Sequence, residues 1–340
     1  MPDIHIRKSG KAGRITLNRP DALNALSYDM ALAIEAALDE WAVDPSVELV
    51  IIDALGDKAF CAGGDIQEMY DTAKMGDFEY GRKFWRDEYR MNAKLFNFPK
   101  PYVAFMQGFT MGGGVGISCH GSHRIVCENS QIAMPECGIG LVPDVGGSLL
   151  LARALGHLGE YLGCTAARMD AGNAIYAGFA DYYIERAAWP ALIEALEGGN
   201  LEAIDAAALP APIASLKAIQ PEIDRNFNGS TVADIIRGFK GTDWEQATEK
   251  SLRRNCPLSV ECALELVRRV RGLGTIEQAL GMEYRFTRRS ASQGDFIEGI
   301  RAAIIDKDRN PSWTPATLED VTPLNISKML MPLGADALKL

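Results

Sequence analysis

Residues 102–116 read YVAFMQGFTMGGGVG, in which an apolar, β-prone run leads through a glycine triplet into a plausible helix. Glycines at a strand-to-helix turn let the backbone approach a ligand closely, and the start of the helix directs unpaired N–H groups at negative charge. Residues 60–65, FCAGGD, repeat this arrangement after the apolar residues 49–52. Two such turns are typical of an oxyanion hole built from backbone donors.

A second stretch, residues 132–147, reads IAMPECGIGLVPDVGG and carries Glu136 and Asp144 in a loop rich in proline and glycine. Carboxylates in such a loop indicate acid-base chemistry beside the oxyanion hole. Each feature also has a structural interpretation. The glycine triplet alone could let a helix pack closely on a strand, and Asp65 could be a first-turn acid favoured by the helix dipole rather than a substrate contact.

Composition indicates an ordinary soluble enzyme. The chain has 340 residues, of which 47% are hydrophobic, so it can bury a large core in one or two domains. Its formal net charge of −10 argues against nucleic-acid or anionic-membrane partners. Since the N-terminus resembles no targeting segment and no apolar run is long enough to span a bilayer, we expect a cytoplasmic protein, with a mitochondrial protein whose leader has been removed as the alternative. The 7 cysteines, without paired spacing, predict reduced thiols rather than disulfides or a metal site.

Strand and helix signals alternate in the first half of the chain, which predicts an α/β fold with parallel β units. After about Trp189 the strand signals stop, and a mainly helical region is expected to about Ala303. The expected elements are a hairpin of residues 4–7 and 14–17, a helix capped by Ser27 with the stripe Met30, Ile34, Leu38 and Trp41, strands at 48–53 and 102–106, and helices from Asp65, over 84–98 and from Gly112.

The order of five motifs resembles the crotonase (enoyl-CoA hydratase/isomerase) superfamily. One glycine motif alone would be weak evidence, but five motifs in this order are specific for the superfamily. Within the superfamily the chain is most similar to the 3-hydroxyisobutyryl-CoA hydrolases, including a C-terminal segment at 296–313. The superfamily motifs are NRP at 18–20, LNAL at 23–26, AGGD at 62–65, GGG at 112–114 and PE at 135–136; the subfamily motifs are EY at 88–89, PKPY at 99–102, MGGG at 111–114, AMPE at 133–136 and PDVGG at 143–147.

The resemblance implies a spiral of ββα turns over residues 1–195, which carries the CoA and catalytic site, and a helical region over 196–340 packed on it. It also bears on the reaction. Enoyl hydration in this superfamily uses two glutamates, and the position of the first is Gly116 here, so that only Glu136 remains. In exchange, Asp144 stands where hydratases usually have glycine. The hydrolase subfamily shows the same two changes, the loss of the first glutamate and the gain of the aspartate.

The resemblance therefore implies hydrolysis of a short β-hydroxyacyl-CoA, foremost (S)-3-hydroxyisobutyryl-CoA of valine breakdown, with 3-hydroxypropionyl-CoA as a second substrate. The amides of Gly64 and Gly113 would bind the thioester oxygen and its oxyanion. Glu136 would attack the carbonyl carbon or deprotonate water, and Asp144 would orient water or assist proton transfer. Glu88 would hold the substrate hydroxyl, although its charged run alone would indicate a solvated helix face.

By the same resemblance CoA is part of the substrate, and neither a separate cofactor nor a metal is expected. Two alternative functions stay open: a hydratase or isomerase of the same superfamily, and a non-catalytic CoA- or RNA-binding protein. The resemblance also implies a homo-oligomer, although the lengthened C-terminus could cover the face through which crotonases usually associate. The residues expected to contact CoA are Ala22, Leu23, Ala25, Ala62, Gly63, Gly64, Asp65, Ile66 and Lys307.

Overall fold

A computed structural model describes residues 2–340. It contains a six-stranded and a three-stranded sheet and sixteen α-helices. The strands are β1 (Ile4–Ser9), β2 (Ala12–Leu17), β3 (Leu49–Ala54), β4 (Ala59–Cys61), β5 (Tyr102–Met106), β6 (Phe109–Met111), β7 (His123–Val126), β8 (Gln131–Ala133) and β9 (Tyr182–Tyr183). The helices are α1 (Tyr28–Val43), α2 (Gln67–Lys74), α3 (Glu79–Phe96), α4 (Gly113–Gly116), α5 (Gly147–Arg153), α6 (Leu158–Thr165), α7 (Ala171–Tyr176), α8 (Trp189–Glu197), α9 (Ala203–Ala207), α10 (Ser215–Asn226), α11 (Val232–Arg237), α12 (Asp243–Arg254), α13 (Pro257–Arg271), α14 (Ile276–Gln293), α15 (Phe296–Ile300) and α16 (Pro323–Leu330).

The sheets confirm the predicted α/β class. The larger sheet has the order β1-β2-β3-β5-β7-β9, in which only the β1-β2 hairpin is antiparallel. The smaller sheet, β4-β6-β8, is parallel throughout. Parallel neighbours need crossover connections, and from β3 to β9 the strands alternate along the chain between the larger and the smaller sheet.

Several local predictions are confirmed. The Ser27 hydroxyl accepts a hydrogen bond from the Met30 amide at 3.3 Å and caps α1. The predicted apolar stripe of α1 is buried. All seven cysteines are free and buried in the structure.

Other predictions were wrong in extent. The helix expected from Gly112 is a single turn, and the helical region does not end near Ala303, because α16 follows it. The strands β4 and β6 to β9 were missed, because at two to four residues each they carry little periodicity of their own. Among residues 2–340, no helix is both long enough and apolar enough to cross a membrane.

The chain forms two compact units whose segments interleave. The first consists of Met1–Asp65, Arg90–Ala133 and Arg168–Ala218, and the second of Ile66–Tyr89, Met134–Ala167 and Ile219–Leu340. Both sheets belong to the first unit, where Trp189 and Leu192 of α8 join the core on the larger sheet. The second unit is helical, and the buried helix α13 packs against α5 and α6. The domain boundary at residue 195 stays a prediction.

Candidate active site

The two predicted glycine turns lie together in the first unit. Residues 62–65 follow β4, and Gly112 follows β6. A Cβ atom added at Gly114 would lie 2.3 Å from the carbonyl oxygen of Cys61, so α4 packs directly on the backbone of β4. Gly112 has a φ of +49°, which strains any residue with a side chain. The sequence therefore needs glycine here both for the turn and for the close approach.

The amides of Gly64 and Gly113 are available as donors. In the parallel bridge between Leu26 and Gly64, the Leu26 amide donates to Gly63 at 2.9 Å and the Asp65 amide donates to Leu26 at 2.8 Å, which leaves the Gly64 N–H out of the ladder. Gly113 is the first residue of α4, where an amide has no partner within the helix. Across residues 2–340, neither amide donates to another protein group.

The segments expected to contact CoA lie side by side in the first unit. The Ala62 amide donates to the Leu23 carbonyl at 3.1 Å, which joins residues 22–25 to residues 62–65. Leu23 has a φ of 52° and Asn24 a φ of 54°, and the buried Asn24 amide group stabilises this turn by donating to the carbonyls of residues 55 and 59, both at 2.9 Å. Asp65 pairs with Arg19 at 2.9 Å, so it has a structural partner as well as its predicted role.

The two other residues expected at CoA belong to the second unit. Ile66 precedes α2. Lys307 is exposed, with a φ of 56°, in a loop that Arg301 holds by donating to Asp306 at 2.6 Å and to Asp308 at 2.7 Å. The position of Lys307 is therefore fixed by its flanking acids.

The three predicted carboxylates belong to the second unit and are buried. Glu88 lies on α3, Glu136 begins a 3-10 turn directly after Pro135, and Asp144 precedes α5; their residues are 3%, 4% and 4% exposed. Across residues 2–340, Glu88 Oε1 and Glu136 Oε2 have no hydrogen-bond partner. Buried polar atoms are rarely left unpaired, so these two oxygens are candidates for binding a substrate or water.

Burial raises the pKa of all three carboxylates, and repulsion by Asp144 adds to the rise for Glu88 and Glu136. Burial and the charge of Asp144 raise the pKa of Glu88 and Glu136 well above the usual range. Burial raises the pKa of Asp144 to about 7, although a hydrogen bond from the Tyr89 hydroxyl, 2.6 Å from Oδ2, lowers it. Asp144 can therefore hold and release a proton near neutral pH, as general acid-base catalysis requires.

Two members of this cluster were not predicted as site residues. The sequence pair EY at 88–89 was noted for Glu88, but Tyr89 is the residue that binds Asp144. Glu283 on α14 is completely buried, and its charge contributes to the raised pKa of Glu136. A signal for Glu283 exists in the sequence, since it lies at helical spacing from the apolar residues Ile276 and Leu280.

Comparisons with known proteins found relatives over almost the whole chain. The family model Enoyl-CoA hydratase/isomerase matches residues 12–330. The mitochondrial 3-hydroxyisobutyryl-CoA hydrolase of Gallus gallus is 36% identical, over 99% of this chain and 91% of that protein. The enzyme of the same name from Xenopus laevis is 38% identical, over 98% and 90%.

Two solved structures cover almost the whole chain. An enoyl-CoA hydratase from Rhodobacter sphaeroides 2.4.1 has a TM-score of 0.95 at 54% identity and covers 100% of both chains. A carnitinyl-CoA dehydratase from Mycobacterium thermoresistibile has a TM-score of 0.93 at 37% identity, with 97% of each chain covered.

Proposed function

The chain belongs to the enoyl-CoA hydratase/isomerase family, and we propose that it hydrolyses a short β-hydroxyacyl-CoA thioester, foremost 3-hydroxyisobutyryl-CoA. The pair Glu136 and Asp144 carries the proposal, because it places two buried, proton-accepting carboxylates in one unit while Gly116 offers no side chain for the second glutamate of a hydratase. The names of the Gallus gallus and Xenopus laevis relatives support this reaction.

In the proposed reaction the N–H groups of Gly64 and Gly113 bind the thioester oxygen and stabilise its oxyanion. Glu136 takes a proton from the attacking water, or attacks the carbonyl carbon itself. In both routes the C–S bond breaks, and the CoA thiolate leaves with a proton that comes from water through the carboxylates. In the second route an anhydride between the acyl group and Glu136 remains, and water hydrolyses it to release the acid and restore Glu136. Asp144, with its pKa of about 7, assists the proton transfers.

CoA enters this scheme as part of the substrate, without a separate cofactor. Its adenine and pantetheine arm would lie against the joined turns, and Lys307 would supply positive charge to an anionic ligand. A cytoplasmic location, a place in valine breakdown and self-association belong to the same proposal. The residues proposed for this contact are Ala22, Leu23, Ala25, Ala62, Gly63, Gly64, Asp65, Ile66 and Lys307.

Glu88 provides the test of substrate choice. Its free, buried Oε1 is suited to accept a hydrogen bond from the β-hydroxyl. We therefore expect 3-hydroxyisobutyryl-CoA to be hydrolysed with a kcat/KM about 5- to 150-fold above that of isobutyryl-CoA, from a partner worth about 1 to 3 kcal/mol. Glu88→Ala should shrink this ratio. Thiol release from both compounds measures it, and equal hydrolysis by the unmutated protein would contradict the substrate assignment.

Hydration of an enoyl-CoA is the second candidate, because the Rhodobacter sphaeroides relative bears the name of an enoyl-CoA hydratase. The two reactions differ in their products. Hydrolysis frees a thiol, whereas hydration removes the absorbance of the enoyl double bond without freeing one. A panel of acyl-CoAs followed by both signals separates the candidates, and loss of enoyl absorbance without thiol release would refute the hydrolase proposal.

A further inference from the structure

The backbone directly after Asp144 is strained. Val145 has a φ of 51° and Gly146 a φ of 78°, so two successive residues are left-handed. A positive φ is uncommon for any side chain and is an outlier for a β-branched one. The Gly147 amide closes the turn by donating to the Asp144 carbonyl at 2.6 Å. Such a conformation persists only where the surrounding structure holds it.

Glu283 of α14 holds this turn from a distant part of the sequence. One carboxylate oxygen accepts a hydrogen bond from the Gly146 amide at 2.9 Å. The other accepts from the Ser148 amide at 3.1 Å and from the Ser148 hydroxyl. Both oxygens of a completely buried side chain thus accept hydrogen bonds from Gly146, the second left-handed residue, and from Ser148, two residues further on.

We propose that Glu283 is a positioning residue for the reaction, because its carboxylate fixes the turn that aims the Asp144 side chain. The Tyr89 hydroxyl also positions Asp144, because it donates a hydrogen bond directly to the carboxylate. The inference rests on the proposed function only for the role of Asp144. It adds a residue from the C-terminal helical region to the machinery of the site.

The choice of a carboxylate supports this role. Burial and the neighbouring Asp144 raise the pKa of Glu283 to about 8, so an acid is unfavourable at this position. Glu136 and Tyr89 also experience its charge. The ionised carboxylate, which predominates above about pH 8, offers two acceptor oxygens and no donor, which is what the amides of Gly146 and Ser148 require. No neutral side chain of this size does so.

Glu283→Gln tests the inference. The glutamine oxygen can accept from Ser148, but its NH₂ group then faces the Gly146 amide, and two donors cannot bond. We expect kcat for thiol release to fall at least about tenfold with KM within about twofold, because the nucleotide-bearing part of the substrate is unaffected while Asp144 is misdirected. Hydrogen exchange at the amides of residues 146–148 should accelerate about tenfold.

Glu245→Gln is the matched control. Glu245 of α12 is also completely buried and accepts backbone hydrogen bonds, from Lys240 at 2.8 Å and Thr242 at 3.0 Å. Its substitution should lower the Tm without changing kcat or the exchange of residues 146–148.

A folded Glu283→Gln protein with unchanged kcat, or with unchanged exchange in the turn, would overturn the inference. A KM that rises in step with the loss of kcat would also overturn it. Absence of thiol release from the unmutated protein would refute the proposed function instead, and the exchange measurement would still decide whether Glu283 holds the turn.

Discussion

Tyr89→Phe removes one hydroxyl from the centre of the carboxylate cluster. This hydroxyl donates to Asp144 Oδ2 at 2.6 Å, and both groups are buried. The hydrogen bond favours the ionised form of Asp144, so it limits the rise that burial causes in the pKa, which stands at about 7 with the bond in place. Its loss should raise the pKa of Asp144 further.

The size of the shift follows from the type of bond. A hydrogen bond to a charged group contributes about 1.5 to 3 kcal/mol, and each pKa unit corresponds to about 1.4 kcal/mol, so the pKa should rise by about 1 to 2 units. At pH 7 the ionised fraction would then drop from about one half to between about one tenth and one hundredth. If the reaction needs ionised Asp144, kcat/KM at pH 7 should fall about 5- to 50-fold and recover in alkaline buffer.

The pH dependence of kcat/KM for thiol release checks this expectation. Tyr284→Phe is the matched control, because Tyr284 packs against Tyr89 with its ring centroid 6.2 Å away, while its own hydroxyl donates to the Arg82 carbonyl at 3.4 Å rather than to a carboxylate. The control should leave the acid limb of the profile in place. An acid limb that stays fixed, or moves to lower pH, in Tyr89→Phe would refute the reasoning.

Three further outcomes are expected. Glu136→Gln should lower kcat at least about a hundredfold with CoA affinity unchanged, and near-normal turnover would exclude Glu136 from the chemical step. The pKa of Asp144 is higher in the folded chain than its ordinary value of 3.8, so the free energy of unfolding falls as pH rises from about 4 to about 7. Asp144→Asn should therefore raise the free energy of unfolding at pH 8 by about 1 to 2 kcal/mol while slowing hydrolysis. A lower free energy of unfolding in urea would contradict this. Gly114→Ala would place its Cβ 2.3 Å from the Cys61 carbonyl oxygen and should lower kcat about a hundredfold. Gly281→Ala, whose Cβ would have no atom within 4 Å, should leave kcat unchanged. Equal rates in the two variants would argue against an oxyanion hole at Gly113.

Features that depend on neighbours in the chain could be predicted from the sequence alone. The β1-β2 hairpin, the Ser27 cap and the glycine requirement at residue 112 all follow from local backbone preferences and hydrogen bonds within a few residues. The motif order also identified the family and nominated Glu136 and Asp144. The hairpin and the cap were predicted correctly because turn chemistry and helix capping act over short separations, whereas the roles of Glu136 and Asp144 stay predictions.

Features that depend on distant residues required the folded chain. The short strands β4, β6 and β8 exist only through pairing with one another, so their own residues gave no signal. Glu283 is far from Gly146 in sequence, yet its two oxygens hold the turn beside Asp144. The pKa of Asp144 could not be predicted from the sequence either, because it depends on desolvation of the carboxylate. Desolvation is set by how completely the packed helices exclude water, so it is a property of the folded structure rather than of the residue.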